Sequence, residues 1–244
     1  AELCKSSQKE VRFILASSCS VYGSLEDNAK VESDQVKPIT DYAKSKINAE
    51  LGLEKIAGDN LKVICLRFAT ACGASRSTRL DLVLNDFVIT ALTTGKIEIL
   101  SNGMPWRPFI NIKDMAMSMK YCLNAPLEKP YQVYNVGSKD FTFRIKELAE
   151  RISKLINAKI SIADKNPKDS RSYTVDFTRF ETWFKDKWPL YFLEDTVEEL
   201  TNFYSKTIKK YGKDHFNDFR NSSQYFRLKM LQKKNSKPNT KLFE

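Results

Sequence analysis

Short apolar runs that end abruptly in small polar residues recur along this chain, with amphipathic segments between them. The first run, Val11-Arg12-Phe13-Ile14-Leu15-Ala16, has the near-continuous apolar character of a buried parallel strand. It breaks off into Ser17-Ser18-Cys19-Ser20, followed by Val21-Tyr22-Gly23. Loop-like polar sequence continues to Pro38, and the spacing then predicts a helix over 41–56 with Thr40 as its N-cap. After a Gly58-Asp59-Asn60 turn, Leu61–Phe68 reads as a second buried strand. Its end again turns small and polar, Ala69-Thr70-Ala71-Cys72-Gly73. Further on, the pattern predicts a helix over 82–93, a short strand over 97–100, a turn over 101–103, an extended piece over 108–112, a helix over 114–122 and a strand over 133–137. A helix starting near Phe143 would set Ile145, Leu148, Ala149, Ile152 and Leu155 on one face. Residues 1–10 read as the end of a helix, and helices dominate from Val197 onward.

Strands alternating with helices imply an α/β chain built on a parallel sheet. In such sheets ligands bind beyond the carboxyl ends of the strands, which places Ser17–Ser20 and Ala69–Gly73 at a candidate site rather than in plain connecting loops.

Composition narrows the functional classes. The chain has 244 residues, 42% hydrophobic and 29% charged, which suits one large domain or a domain and a half with its own core. No apolar run approaches the roughly 20 residues a membrane-spanning helix needs, and the polar opening residues do not read as a secretory signal. The five cysteines are odd in number, form no CxxC pair, and accompany a single histidine, His215. That pattern argues against a zinc site or a disulfide framework and fits a cytoplasmic protein. The net charge of +10 owes much to Lys229, Lys233, Lys234, Lys237 and Lys241. Without interleaved aromatic residues these read as a solvated terminal helix, not a nucleic-acid surface.

Tyr42 and Lys46 lie four apart on the predicted 41–56 helix, so both emerge on one face. A lysine ammonium beside a phenol favours the phenolate, and such a tyrosine suits proton transfer to and from a sugar hydroxyl. The spacing itself is common, since Tyr225 and Lys229 repeat it in the terminal helix. Context separates the two. Only the first pair follows an apolar strand ending in Ser-Ser-x-x-Val-Tyr-Gly, with Glu32 before it, the run Tyr42-Ala43-Lys44-Ser45-Lys46, and Glu50 after it.

That arrangement resembles the extended short-chain dehydrogenase/reductases, specifically the NAD-dependent epimerase/dehydratase group. The same resemblance covers Leu66-Arg67-Phe68-Ala69-Thr70 with Gly73, Arg79-Leu80-Asp81-Leu82-Val83 with Asn85-Asp86, and Gly103-x-x-Trp106-Arg107-Pro108-Phe109-Ile110 with Asp114. It continues through Tyr134-Asn135-Val136-Gly137 and Arg171-Ser172-Tyr173 with Asp176. It runs in order from residue 11 to about 180.

The resemblance implies a partial Rossmann-type doubly wound parallel sheet, its first strands missing, with a smaller C-terminal α/β substrate domain. Residues 1–75 and 106–137 would form the cofactor half. Residues 76–105 and 138–244 would form the substrate domain, mainly helical from about 197. By the same resemblance, Ser18 hydrogen-bonds the reacting hydroxyl, Tyr42 is the acid/base, and Lys46 holds the nicotinamide ribose. Ser17, Phe68 and Ala69 would lie beside the cofactor, NAD with NADP as an alternative. Thr70 would face the sugar, while Asn85, Arg107 and Arg171 contact the diphosphate of a nucleoside-diphosphate sugar. A homodimer is implied for the full-length protein.

The 4,6-dehydratases of the family place Asp and Glu directly after the catalytic hydroxyl residue, where this chain has Cys19 and Ser20. The expectation is therefore an epimerase acting at a sugar carbon, C4, with a reductase, dehydrogenase or dehydratase of the same family, or a non-catalytic remnant or binding module, as alternatives. The family's Gly-rich phosphate turn has no counterpart in this sequence, where glycine is eight of 244 residues against a usual share of about 7%. The resemblance thus reads as a chain that starts inside the helix before the 11–16 strand, leaving an apolar strand edge uncovered.

Overall fold

A computed structural model describes residues 1, 4, 6, 7, 9–23, 28–75, 79–163, 172–184 and 188–216. Arg171, the Tyr225/Lys229 pair and the lysine-rich terminus fall outside the described residues, and of the helix end expected over 1–10 the described residues show helix only at Cys4. In chain order the elements are β1 (Val11–Ser18), α1 (Asp41–Ile56), β2 (Leu61–Phe68), β3 (Thr70–Cys72), α2 (Val83–Thr94), β4 (Lys96–Ile99), β5 (Trp106–Asn111), α3 (Ile112–Cys122), β6 (Tyr131–Val136), β7 (Thr142–Arg144), α4 (Ile145–Ile156), β8 (Lys159–Ile162), α5 (Thr178–Phe184) and α6 (Leu193–Tyr211).

The chain divides into two units. The first takes Ala1–Ala71, Met104–Arg144 and Pro167–Phe192, and the second takes Cys72–Gly103, Ile145–Asn166 and Leu193–Glu244.

At the centre of the first unit is a parallel sheet in the order β1-β2-β6. Ser17 is level with Arg67 and Arg67 with Asn135; one step on, Ser18, Phe68 and Val136 form the next row. Because side chains alternate across a strand, the two faces of this sheet carry different residues. On one face Val11, Phe13, Leu15, Leu61, Val63, Cys65, Tyr131 and Val133 pack with Leu53 and Ile56 of α1. On the other, Ile14, Ala16, Ile64, Leu66, Phe68, Tyr134 and Val136 meet Met115, Met119 and Cys122 of α3 and Phe180, Trp183 and Phe184 of α5. Among the described residues β1 pairs only with β2, so it is an edge of this sheet, and most of it is half-buried. Arg12 turns from that edge to the end of α3, donating to the Cys122 and Ala125 carbonyls at 3.1 and 2.6 Å. A cation there suits both the unpaired carbonyls and the dipole.

In the second unit α2 packs against α4 and α6, and β4 pairs in parallel with β8. Within it Tyr204 is buried with no hydrogen-bond partner for its hydroxyl among the described residues, and burial pushes its pKa up, with the Asp86 charge adding to the effect.

Several boundaries differ from the sequence reading. β1 extends two residues past the apolar run, because Ser17 and Ser18 continue the pairing with Arg67 and Phe68. Helix α3 begins at Ile112, capped by Asn111, whose Oδ1 accepts from the Lys113 N–H at 2.9 Å. The Asp114 carboxylate, read as a helix start, instead accepts from the backbone of Leu190 and Tyr191, both at 3.1 Å. Leu155 is exposed rather than buried. Ten residues beyond Ile145, a 3.6-residue period has carried it about 80° around the helix. The short elements β7, β8 and α5 lacked a readable period in the sequence, as brief segments commonly do.

Candidate active site

The carboxyl end of β1 enters a 3-10 turn over Cys19–Tyr22, with Ser18 as its N-cap; its Oγ accepts from the Ser20 N–H at 3.2 Å. The turn closes at Gly23, which has φ 79°; a Cβ there would run into the Lys37 carbonyl, so both backbone and space require glycine. Cys19 is fully buried, its Sγ donating to the Arg67 carbonyl at 3.0 Å, and burial pushes its thiol pKa up. Ser20 is buried, and its hydroxyl has no hydrogen-bond partner among the described residues. Neither residue after Ser18 can act as a carboxylic acid, and the thiol stays protonated at neutral pH.

Helix α1 starts where the sequence reading placed it. The Thr40 hydroxyl accepts from the Ala43 N–H at 3.2 Å, satisfying a backbone donor that the first turn leaves free. Tyr42, Lys46 and Glu50 follow at four-residue intervals and share one stripe of the helix. Exposure falls along it: Tyr42 is 56% exposed, Lys46 is half-buried and Glu50 is 2% exposed. Lys46 Nζ lies 5.4 Å from the centre of the Tyr42 ring and donates to the Ala16 carbonyl at 2.8 Å. Lys46 is therefore anchored two residues before the end of β1, the strand that closes with Ser17 and Ser18.

Below that stripe is a buried polar network, of whose side chains the sequence reading gives a role only to Ser17, beside the cofactor. Ser17 Oγ donates to Glu50. Arg67 meets the same carboxylate through Nε, at 3.1 and 3.2 Å, and through Nη2 at 2.7 Å. Arg67 Nη1 donates to the Tyr22 hydroxyl at 2.9 Å and to the Glu32 carbonyl at 3.3 Å. Tyr22 in turn donates to Asn135 Oδ1 at 2.7 Å. Asn135 Nδ2 reaches the Lys30 and Asp176 carbonyls, and its backbone N–H donates to the Glu32 carboxylate. Burial alone would lower the Arg67 pKa, but the hydrogen bonds and charge of Glu50 and Tyr22 outweigh it and push it up. Burial raises the Tyr22 pKa, against the opposing charge of Arg67. The signal available beforehand was Arg67, a charged residue set between the apolar Leu66 and Phe68 in a strand whose other charge, Lys62, lies near its start.

The remaining site residues are placed as follows. Phe68 ends β2 level with Ser18, and Ala69 donates its N–H to the Val136 carbonyl at 2.9 Å. Thr70 opens β3. Gly137 lets this region close up, since a Cβ there would lie 2.7 Å from the Phe177 ring and 2.9 Å from Ala69 Cβ. Arg107 is buried in β5, its guanidinium over the Tyr173 ring at 5.4 Å and donating to the Trp106 carbonyl at 3.0 Å, so it is no surface ion pair. Asn85, in the second unit, is 2% exposed and its amide is used within the fold. It accepts from Gly73 N–H at 3.1 Å and donates to the Arg79 carbonyl at 3.0 Å. No group of three His, Cys, Asp or Glu that could hold a metal occurs among the described residues, and no helix there is long and apolar enough to cross a membrane.

The profile of the NAD dependent epimerase/dehydratase family matches residues 1–137, more than half of the chain. The chain belongs to the NAD-dependent epimerase/dehydratase family. Among proteins similar to this epimerase/dehydratase chain is the trifunctional UDP-glucose 4,6-dehydratase/UDP-4-keto-6-deoxy-D-glucose 3,5-epimerase/UDP-4-keto-L-rhamnose-reductase of Arabidopsis thaliana. It is 27% identical over 183 residues, 72% of this chain and 27% of that protein. The chain spans about a third or less of the length of the curated relatives it matches. A similar solved structure is the UDP-glucuronic acid 4-epimerase from Bacillus cereus in complex with UDP-glucuronic acid and NAD. The TM-score is 0.73 at 22% identity, covering 84% of this chain and 65% of that one. RMD from Pseudomonas aeruginosa complexed with NADPH gives 0.69 at 21% identity, covering 80% and 67%. These likenesses establish a Rossmann-type α/β fold for this epimerase/dehydratase family member.

Proposed function

We propose that this chain carries the catalytic residues of a nucleotide-sugar epimerase, which oxidises a sugar carbon, C4, to a transient ketone and restores it with inverted configuration. The observation that supports this reading is the exposed Tyr42 beside Lys46, which reaches the Ala16 carbonyl of β1, a strand that ends in Ser18 and runs on into the non-acidic Cys19 and Ser20. In this reading the first unit carries the cofactor end together with Ser18, Tyr42, Thr70 and Arg107, which meet the sugar and its diphosphate.

The donor set at the end of β1 fits the ribose and nicotinamide end of a dinucleotide. A phenol and an ammonium stand on one helical stripe, Phe68 ends the neighbouring strand and Ala69 follows it. Lys46 and Tyr42 would hold that end, with Ser17, Phe68 and Ala69 beside it. When bound, NAD supplies the hydride acceptor, and NADP is the alternative. The phosphate cradle is not among these 244 residues, since no glycine-rich turn occurs in the sequence.

Each residue then has one task. Tyr42 takes the proton from the C4 hydroxyl and later returns it. Lys46 places its positive charge beside the phenol, and its bond to the Ala16 carbonyl keeps it there. Ser18 holds the reacting hydroxyl by a hydrogen bond, and Thr70 lies toward the sugar. Arg107 and Arg171 bind the diphosphate, a task for which the guanidinium fork suits paired phosphate oxygens. Asn85 acts indirectly, by holding Gly73 and Arg79 together.

The test is C4 inversion of UDP-glucose and UDP-glucuronic acid with NAD, followed by proton NMR in the polypeptide expressed from the complete gene. Tyr42→Phe is expected to lower turnover by about 100-fold or more while UDP-sugar binding persists. Undiminished turnover in that variant would remove Tyr42 from its role. A 6-deoxy-4-keto product would replace the epimerase reading with a dehydratase one.

A further inference from the structure

The buried ion pair between Glu50 and Arg67 is costly to desolvate and has no task in the chemistry just described. Their side chains are 3% and 7% exposed. Burying both charges costs desolvation, and well-packed apolar residues of similar volume commonly stabilise as much or more. Stability therefore does not account for the pair. Direction does. Apolar contact is non-directional and tolerates sliding, whereas an arginine fork on a carboxylate fixes distance and angle together.

We propose that Glu50, held by Arg67 and Ser17, is a positioning residue that sets the rotation and axial register of α1 and thereby places Tyr42 and Lys46 against the end of β1. This rests on the reading of Tyr42 and Lys46 as the reacting pair. Glu50 is four residues past Lys46 and eight past Tyr42, about 12 Å along a stiff helix. Successive residues of β1 receive successive residues of the stripe: Ala16 accepts from Lys46, and Ser17 donates to Glu50. Arg67, level with Ser17 in the sheet, ties the same carboxylate to β2. Through Tyr22 and Asn135 the connection reaches β6 and the Lys30 and Asp176 backbones. Rotating α1 by roughly 10° would move a side-chain tip 5–6 Å from its axis by about 1 Å. A displacement of that size is enough to cost about 100-fold in rate.

The experiment compares the wild type with Ser17→Ala and with the double variant Glu50→Met/Arg67→Met. The double variant removes both charges at once, so neither is left buried alone. Carbon-13-labelled tyrosine and lysine side chains are read by NMR, with circular dichroism confirming that each protein is folded. Tyr42 and Lys46 signals are expected to move in both variants, while those of Tyr204 and Tyr211, in the other unit, stay in place. Folded variants with unmoved Tyr42 and Lys46 signals would overturn the proposal.

Turnover of UDP-glucose with NAD forms the second arm. A fall in kcat of about 10- to 100-fold at nearly constant KM supports positioning, and equal kcat in all three proteins overturns it. If the wild type turns over neither UDP-glucose nor UDP-glucuronic acid, the epimerase reading fails, and the NMR arm still decides the positioning proposal.

Discussion

Two adjacent rows of the β1-β2-β6 sheet differ by a single step along the strands and follow opposite rules. Ala16, Leu66 and Tyr134 face α3 and α5, in a cluster where the Tyr134 and Trp183 rings stack 4.3 Å apart and Phe180 packs edge-on to both. Ser17, Arg67 and Asn135 face the other way and are as deeply buried, but each is tied to named partners by hydrogen bonds. The apolar row needs volume and shape, which several side chains can supply. The polar row needs every partner present, because a lone buried charge has no water to fall back on. The row built on direction is the one beneath Tyr42 and Lys46.

The largest expected effect breaks the polar row from one side. Arg67→Met leaves Glu50 buried without its cation and is expected to lose about 3–5 kcal/mol of stability in chemical denaturation. Adding Glu50→Met should recover most of that loss, although it removes a second native residue. If the double variant is no more stable than Arg67→Met, the pair is not the coupled unit described here.

Alkaline pH tests what the two faces share. Cys65 lies on the α1 face and Cys122 on the α3 face, and burial pushes both thiols from 9.0 up to about 12, the Glu50 charge adding to the effect at Cys65. Unfolded thiols ionise from pH 9.0 upward, whereas the folded ones keep their protons until about 12. The folded state therefore binds more protons in that window, and stability falls as pH rises from 9 toward 12. Each thiol contributes about 1.4 kcal/mol per pH unit to the slope. Denaturation midpoints between pH 7 and 11 should flatten equally in Cys65→Ala and Cys122→Ala, and unequal flattening would separate the faces.

Gly137→Ala probes where the apolar side meets the site. The new methyl group would press on Phe177 and Ala69, and about 1–3 kcal/mol should be lost as that region shifts. Thermal unfolding measures the loss, and an unchanged midpoint would show that Phe177 yields freely. The smallest effect belongs to the apolar row itself. Leu66→Met conserves volume and should cost less than about 1.5 kcal/mol, so a loss rivalling that of Arg67→Met would erase the contrast.

How much of this was legible beforehand depended on whether the cause was local. Helix α1 and its Thr40 cap could be read because capping and a long 3.6-residue period lie within one segment. The strands β1 and β2 could be read from their apolar runs, and the placement of Tyr42 and Lys46 on one stripe followed from spacing alone. The short pieces β7, β8 and α5 could not, since each takes its structure from what it packs against. Leu155 looked like core and is exposed, while nothing in the sequence showed that Arg107, expected at the diphosphate, is buried with its guanidinium over Tyr173.

By itself the sequence determined an α/β chain of this family, its serine-ended first strand, and a tyrosine and lysine one helical turn apart. Periodicity, caps and motifs are short-range properties, and they need no fold to be seen. Only the tertiary structure decided that Glu50 and Arg67, 17 residues apart, share a buried bond, that Ser17 joins it, and that Lys46 reaches the Ala16 carbonyl. Those contacts depend on the in-register pairing of β1, β2 and β6 and on how α1 lies across them, which is set by the packing of the whole unit.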